Sequence, residues 1–287
     1  MDYQREIVLP ASQSMPDMEH GSVFFIGTAT VLLRYAGFTI LTDPNFLHKG
    51  EHVHLDYGMR SKRLTEPAIT IDQLPPLDCI VLSHLHEDHF DRIAERKLDK
   101  TLPVITNPSA AMALKKKGFG RAYGVRTWES LTLLKGEMTL QITALPAQHA
   151  PTPLKFFLPP VMGSMLEFQP SPNQTKLRIY ITGDTLFYKQ LQEIPRRFPE
   201  IDLALFHLGG TKILGILLTM DGKQGAEALK IIAPRTVIPI HFNDYPVFQS
   251  PLNDFKQAIS QTEQESKVRY LDSGGTFTFD IPVRTYA

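Results

Sequence analysis

Cys79-Ile80-Val81-Leu82-Ser83-His84-Leu85-His86-Glu87-Asp88-His89 is the stretch on which the reading of this chain turns. The apolar run 79–82 reads as a buried strand, so the histidines begin where that strand leaves the core. His84 and His86 are two apart, and in extended chain such positions point to one side. Asp88 and His89 fall where the chain turns into a helix expected over residues 90–98. The two imidazoles can serve one cation and the Asp-His pair an adjacent one, because neutral imidazole and carboxylate are the usual protein ligands of zinc and similar ions. A polar loop with scattered histidines is the plainer reading. So dense a cluster directly after a buried strand favours metal.

At 287 residues the chain can bury an ample core without staples. Lys plus Arg balance Asp plus Glu at 30 each, so no global field draws in nucleic acid or an anionic membrane. Nucleic acid is therefore not expected as a partner. The lone cysteine, Cys79, lies in the expected buried strand and reads as core. Residues 1–6 lack the basic start and apolar stretch of a signal peptide, and no apolar run reaches the length of a membrane span. A cytoplasmic protein with no transmembrane segment is expected.

Residues 1–20 read as an irregular lead-in. Strands are expected at 23–26, 30–35 and 38–42, the last two forming a hairpin over Ala36-Gly37. Residues 45–76 are polar, contain Pro and His and show no period, the mark of a long loop that serves a site. Beyond the His-rich segment, strands are expected at 104–106, 121–125, 131–134, 138–144, 163–168, 177–182, 203–206, 237–240, 268–271 and 276–279. Helices are expected at 108–117, 186–193, 221–232 and 251–260. No linker or composition shift marks a boundary, which favours one α/β domain over residues 1–287.

Two cations need more donors than the first segment offers, and strand ends hold ligands best. His149 lies shortly after the strand 138–144. Asp184 follows the strand 177–182, with Gly183 allowing a sharp turn, and His241 follows the strand 237–240 directly. Any one of these alone would read as a turn or cap residue. Together with the first segment they point to one shared sheet edge.

Gly27-Thr28-Ala29-Thr30, Leu41-Thr42-Asp43-Pro44, Ser83 to His89, Thr182-Gly183-Asp184-Thr185 and Ile238-Pro239-Ile240-His241-Phe242 stand in an order that resembles the metallo-β-lactamase superfamily. The resemblance spans about residues 22–280 and is closer to the branch with ascorbate-6-phosphate lactonase and N-acyl-phosphatidylethanolamine phospholipase D. It implies a four-layer αββα sandwich with a dinuclear site at one edge. His84, His86 and His149 would hold the first metal, Asp88, His89 and His241 the second, and Asp184 would bridge them. The donors fit zinc, with manganese or iron also tolerated.

Two adjacent metals can share a water and lower its pKa toward neutrality, delivering hydroxide to a carbonyl carbon or phosphorus. Asp88 is the candidate to orient that water and pass its proton. His207, at a strand end before Gly209-Gly210, could donate to substrate or be a hydrogen-bonded structural histidine. Asp43 could orient a ligand imidazole or cap the turn before Pro44. Asn243 and Tyr245 are candidates to line the pocket. His48, His52, His54, Arg60, Lys62 and Arg63 read first as a solvated loop. The apolar stretches 156–162 and 213–218 would suit a lipid-like part of a small-molecule substrate, a membrane or a second subunit. A hydrolase of an ester, lactone or phosphodiester is the leading expectation. A nuclease of the same fold and a metal-free binding protein are the alternatives.

Overall fold

The computed structural model describes residues 5–11, 16–55, 58–152, 158–169, 177–260 and 262–281. It begins with a strand where an irregular lead-in was expected: β1 (Arg5–Val8) pairs in parallel with a strand more than a hundred residues on. Four residues on a sheet edge leave almost no periodic signal in sequence. β2 (His20–Gly27), β3 (Thr30–Tyr35) and β4 (Phe38–Thr42) form the expected antiparallel set. Ala36 and Gly37 both take positive φ, 51° and 81°, which suits the twist of a two-residue hairpin.

The segment 45–76 is not without structure. It contains the hairpin β5 (His52–His54) and β6 (Arg60–Lys62) and a short 3-10 turn at Ile71–Gln73. Then follow β7 (Cys79–Val81), α1 (Arg92–Lys97), β8 (Val104–Thr106), α2 (Pro108–Lys116) and β9 (Ala122–Gly124). α1 is shorter than expected because Asp91 caps it, accepting from the Ile93 and Ala94 amides.

The second half continues with β10 (Ser130–Lys135), β11 (Met138–Leu145), β12 (Gly163–Gln169) and β13 (Leu177–Ile181). The helix expected at 186–193 lies later, as α3 (Glu193–Arg197), because the amides of Leu186 and Phe187 bond to the Gln148 carbonyl and the Gln224 side chain. β14 (Leu203–His207), the small hairpin β15 (Lys212–Ile213) and β16 (Ile216–Leu217), α4 (Gly222–Ile232), β17 (Thr236–Ile240), α5 (Leu252–Ile259) and β18 (Thr276–Asp280) complete the chain. The strand expected at 268–271 reduces to a single bridge between Val268 and Val237.

Two seven-stranded sheets result, in the orders β18-β2-β3-β4-β7-β8-β9 and β1-β10-β11-β12-β13-β14-β17. Alternation along each strand sorts its side chains between two cores. Val31, Leu33, Ile40, Cys79 and Val81 meet Leu140, Ile142, Ile179, Leu205 and Ile238 between the sheets. Leu32, Leu41 and Ile80 face the other way, in the core that holds Ala94 of α1 and Leu114 of α2. Ala204, Phe206 and Val237 pack outward with Leu229 of α4 and Phe255 of α5. The architecture is the αββα sandwich. In both sheets the strands turn parallel toward one side: β4, β7, β8 and β9 in one, β13, β14 and β17 in the other. Their C-terminal ends meet at a common edge, where such sheets bind ligands.

Candidate metal centre

The His-rich segment leaves β7 at this edge and is fixed from below. The Ser83 amide and hydroxyl reach Asp43 Oδ1 at 2.7 and 3.0 Å, and Asp43 itself ends β4 with φ of 34°. His89 and Phe90 amides close a turn onto the His86 carbonyl at 3.0 and 2.9 Å. The turn brings Asp88 and His89 back over the strand end.

Two groups of donors form. In the first, His86 Nδ1 lies 2.9 Å from His84 Nε2 and 3.2 Å from His149 Nε2. Ligands on a tetrahedral ion at 2.0–2.1 Å stand roughly 3.3 Å apart, so this three-imidazole cup already has the spacing of a metal shell. His149 donates from Nδ1 to the Leu218 carbonyl at 3.1 Å, which leaves the Nε2 lone pair facing the cup. Burial and the neighbouring imidazoles hold His84 well below the ordinary histidine range. Burial, with His86 beside it, lowers His149 to about 4. Both imidazoles are neutral at pH 7.

The second group is mixed. His241 Nε2 lies 3.4 Å from Asp88 Oδ2 and 3.6 Å from Asp184 Oδ1, and His89 Nε2 lies 3.4 Å from the same Asp184 oxygen. His241 donates from Nδ1 to the Leu208 carbonyl at 3.1 Å. His84, His89 and Asp184 also lie within 4.8 Å of one another through their ligand atoms, so Asp184 stands between the two cups. Burial opposes charge on His89 and His241, but the carboxylates of Asp184 and Asp88 outweigh it and both are raised. Burial likewise works against Asp88, yet His89 and His241 bring it down to about 2.

One feature tests the fit to metal. Asp88 Oδ1, His89 Nε2, Asp184 Oδ1 and His241 Nε2 are buried and have no hydrogen-bond partner. Buried polar atoms are nearly always paired, and here the orphans lie beside the three-imidazole cup of His84, His86 and His149. A divalent cation is the partner that N and O donors in this arrangement take.

Of the two places expected for His207, the structure shows the hydrogen-bonded one. It is fully buried, with Nε2 3.2 Å from Asp43 Oδ2 and Nδ1 3.2 Å from the Thr182 hydroxyl. Both ring nitrogens are engaged on the far side of His89, with which it stacks at 12°. Asp43 faces His89 Nδ1 at 3.3 Å, so it orients that ring from behind.

Tyr245 is buried and donates to Asn45 Oδ1 at 3.0 Å, while the Asn243 side chain accepts from the Leu252 amide at 3.4 Å. His48 pairs with Glu66 at 3.0 Å and His54 with Glu87 at 2.7 Å, both on the surface. Arg63 is no surface residue. It is fully buried, with Nη1 on the carbonyl and side-chain oxygens of Asn45. Of the apolar stretch 156–162, Phe156 and Phe157 lie outside the described residues. The stretch 213–218 forms the β15–β16 hairpin, whose tip Leu214 is 92% exposed. Sequence reasoning missed Ser83, Thr182 and Thr219, whose hydroxyls touch Asp43, His207 and Asp184. Thr182 lay inside a quoted motif, but nothing in it marked the hydroxyl.

A family model described as a beta-lactamase superfamily domain matches residues 39–242. A UPF0173 metal-dependent hydrolase from Nanoarchaeum equitans is 28% identical over 70% of this chain and 86% of its own length. Another UPF0173 metal-dependent hydrolase, from Anaeromyxobacter sp., is 26% identical over 90% of this chain and 86% of its own. Among solved structures, the isothiocyanate hydrolase from Delia radicum gut bacteria superposes with a TM-score of 0.76 at 20% identity, covering 90% of this chain and 99% of that one. At that identity the likeness speaks for the fold.

Proposed function

The chain belongs to the metallo-β-lactamase superfamily, and from that membership and the buried donors at its sheet edge we propose a metal-dependent hydrolase that works with two ions. The UPF0173 relatives carry the name metal-dependent hydrolase without a substrate. The single observation that carries the two-ion reading is the set of orphaned atoms on Asp88, His89, Asp184 and His241 beside the separate three-imidazole cup. His84, His86 and His149 would hold one ion, and Asp88, His89 and His241 the other, with Asp184 between. Zinc suits these donors best.

Two ions held there would supply Lewis acidity and a water acidified toward neutrality. The chain's own groups do the rest. Asp88 stays ionised, and its unpartnered Oδ1 can orient the attacking water and accept its proton for delivery to the leaving oxygen. His84 and His149, held neutral, keep their lone pairs toward the cup. His207 acts through Asp43 on the His89 ring and is a positioning residue.

The substrate we propose is a small ester, lactone or phosphodiester with an apolar portion. The β15–β16 hairpin supports this, because its foot at Leu218 touches His149 and its tip presents Leu214. Contact with a second copy of the chain is the competing use of that tip, and sedimentation would read it. No helix among the described residues is long and apolar enough to cross a membrane. The single cysteine, Cys79, is free and buried between the sheets.

Metal analysis of the purified chain with turnover on lactone, aryl ester and bis-phosphodiester substrates tests the reading. About two ions per chain and chelator-sensitive turnover are expected. No bound metal, and no activity after metals are restored, would overturn it.

A further inference from the structure

The hairpin β15–β16 returns to the core through Leu218, Thr219 and Met220, and the first two touch the centre. The Leu218 amide bonds to the Thr211 carbonyl at 2.8 Å, and the Met220 amide to the Thr185 carbonyl at 2.9 Å. The Met220 carbonyl accepts from the Gly210 amide at 3.0 Å. Thr219 is thus fixed on both sides, fully buried, and β-branched, so its side chain has little rotamer freedom. Its hydroxyl donates to Asp184 Oδ2 at 3.0 Å.

That bond makes the two oxygens of Asp184 unlike. Oδ2 is taken by the threonine, while Oδ1 is left unpartnered, 3.4 Å from His89 Nε2 and 3.6 Å from His241 Nε2. Without the hydroxyl, the carboxylate would swing about its last torsion to angles at which neither oxygen faces the cup, at little cost, because that torsion is broad for aspartate. We propose that Thr219 is a positioning residue that holds the plane of the Asp184 carboxylate so that its free oxygen faces the mixed cup, and so sets the affinity for the ion held there. The inference rests on the two-ion reading above. It adds a residue that ligates nothing and lies outside the motifs that carry the ligands. The Leu218 carbonyl does the parallel service for His149 on the three-imidazole cup. One short segment therefore tensions a ligand of each cup, and only the threonine half can be removed by substitution.

The test compares wild type, Thr219→Val and Thr219→Ser by competition of zinc against a chromophoric chelator, with far-UV circular dichroism and thermal melts of the metal-free chains as the control for folding. Valine keeps the shape and loses the hydroxyl; serine keeps the hydroxyl and loses the methyl. Removing a partner that orients a metal ligand lowers affinity by about 10–100-fold. That loss is expected in Thr219→Val for the ion of the mixed cup above all, with Thr219→Ser near wild type. Wild-type affinities for both ions in Thr219→Val would overturn the proposal. Equal losses in the valine and serine variants would also overturn it, because packing and not the hydroxyl would then be at work. A wild-type chain that binds no second ion would remove the two-ion reading itself, and the proposal with it.

Discussion

Asp43→Asn removes one charge and changes no volume, yet the structure gives it a large effect. Asp43 accepts on both oxygens: Oδ1 from the Ser83 amide and hydroxyl at 2.7 and 3.0 Å, and Oδ2 faces His207 Nε2 at 3.2 Å and His89 Nδ1 at 3.3 Å. In one orientation the new NH2 group faces two ring N–H donors; flipped, it faces the Ser83 amide. Each buried donor left unmatched costs about 1–3 kcal/mol, so one or two of them cost roughly 1–6 kcal/mol. That is a large share of the ~5–15 kcal/mol by which a domain is stable. His89 can relieve the clash by moving its proton to Nε2, but this removes the lone pair that faces the mixed cup. Stability and metal affinity must therefore fall together. Urea unfolding of the metal-free chain reads the first, and chelator competition reads the second. An Asp43→Asn chain within about 0.5 kcal/mol of wild type, with unchanged zinc affinity, would refute the reasoning.

Metal uptake is expected to release protons. Burial opposes charge on His89 and His241, but Asp184 and Asp88 raise both, so in the metal-free chain they hold protons at higher pH than an ordinary histidine. An imidazolium must lose its proton to bind metal, so affinity for the ion in the mixed cup weakens as pH falls, whereas the neutral His84 and His149 release none. Calorimetric titration in buffers of differing ionisation enthalpy measures the release; heats independent of buffer would contradict it. Leu214→Asp, at a position 92% exposed, should leave stability within about 0.5 kcal/mol and lower kcat/KM for apolar substrates only. Equal rates on apolar and polar substrates would remove the hairpin from substrate binding. Divalent metal at 1,000 times its Kd should stabilise the fold by about 4 kcal/mol, seen as a rise in Tm that chelator reverses. A Tm indifferent to metal would mean that the centre binds none in the folded chain.

The order of strands and the lines of apolar residues were legible because alternation puts Leu32 and Leu33, or Leu205 and Phe206, into different cores while keeping both buried. The region that brings the donors together was legible for a related reason: His84, Asp184 and His241 each follow an apolar run with little or no intervening loop. What escaped was short or backbone-mediated. β1 gains its partner only through tertiary contact with β10. The hairpin β5–β6 consists of His52–His54 and Arg60–Lys62, which carry no strand-like pattern. The tautomers of His149 and His241 are set by the carbonyls of Leu218 and Leu208, and a carbonyl has no identity in sequence. His207 looked like any strand-end histidine until Asp43 and Thr182 were seen on either side of it.

Backbone strain is found at the donors as well as at turns elsewhere. Thr28, Asp43 and His241 all have positive φ, at 52°, 34° and 61°, a region that costs a residue with a side chain roughly 1–2 kcal/mol. For the β-branched Thr28 it is a true outlier. The three are not independent. The Thr28 carbonyl accepts from the His241 amide at 2.6 Å, and the Thr28 amide donates to Asp244 Oδ2 at 2.9 Å. This ties the β2–β3 turn of one sheet to the end of β17 in the other. Asp43 meanwhile bonds to Ser83 in its own sheet and across to His207 in the other, again joining the sheets. A relaxed backbone at these positions would re-aim His241 or release His89. The strain is therefore the consequence of bringing ligands from two separate sheets to one point, and the inter-sheet core of Ile40, Val81, Leu205 and Ile238 directly beneath is what can sustain it. That division explains why the centre sits at the seam of the sandwich and not on either sheet alone. Only at the seam can parallel strand ends from both sheets supply donors to one buried space while the apolar layer below holds their geometry.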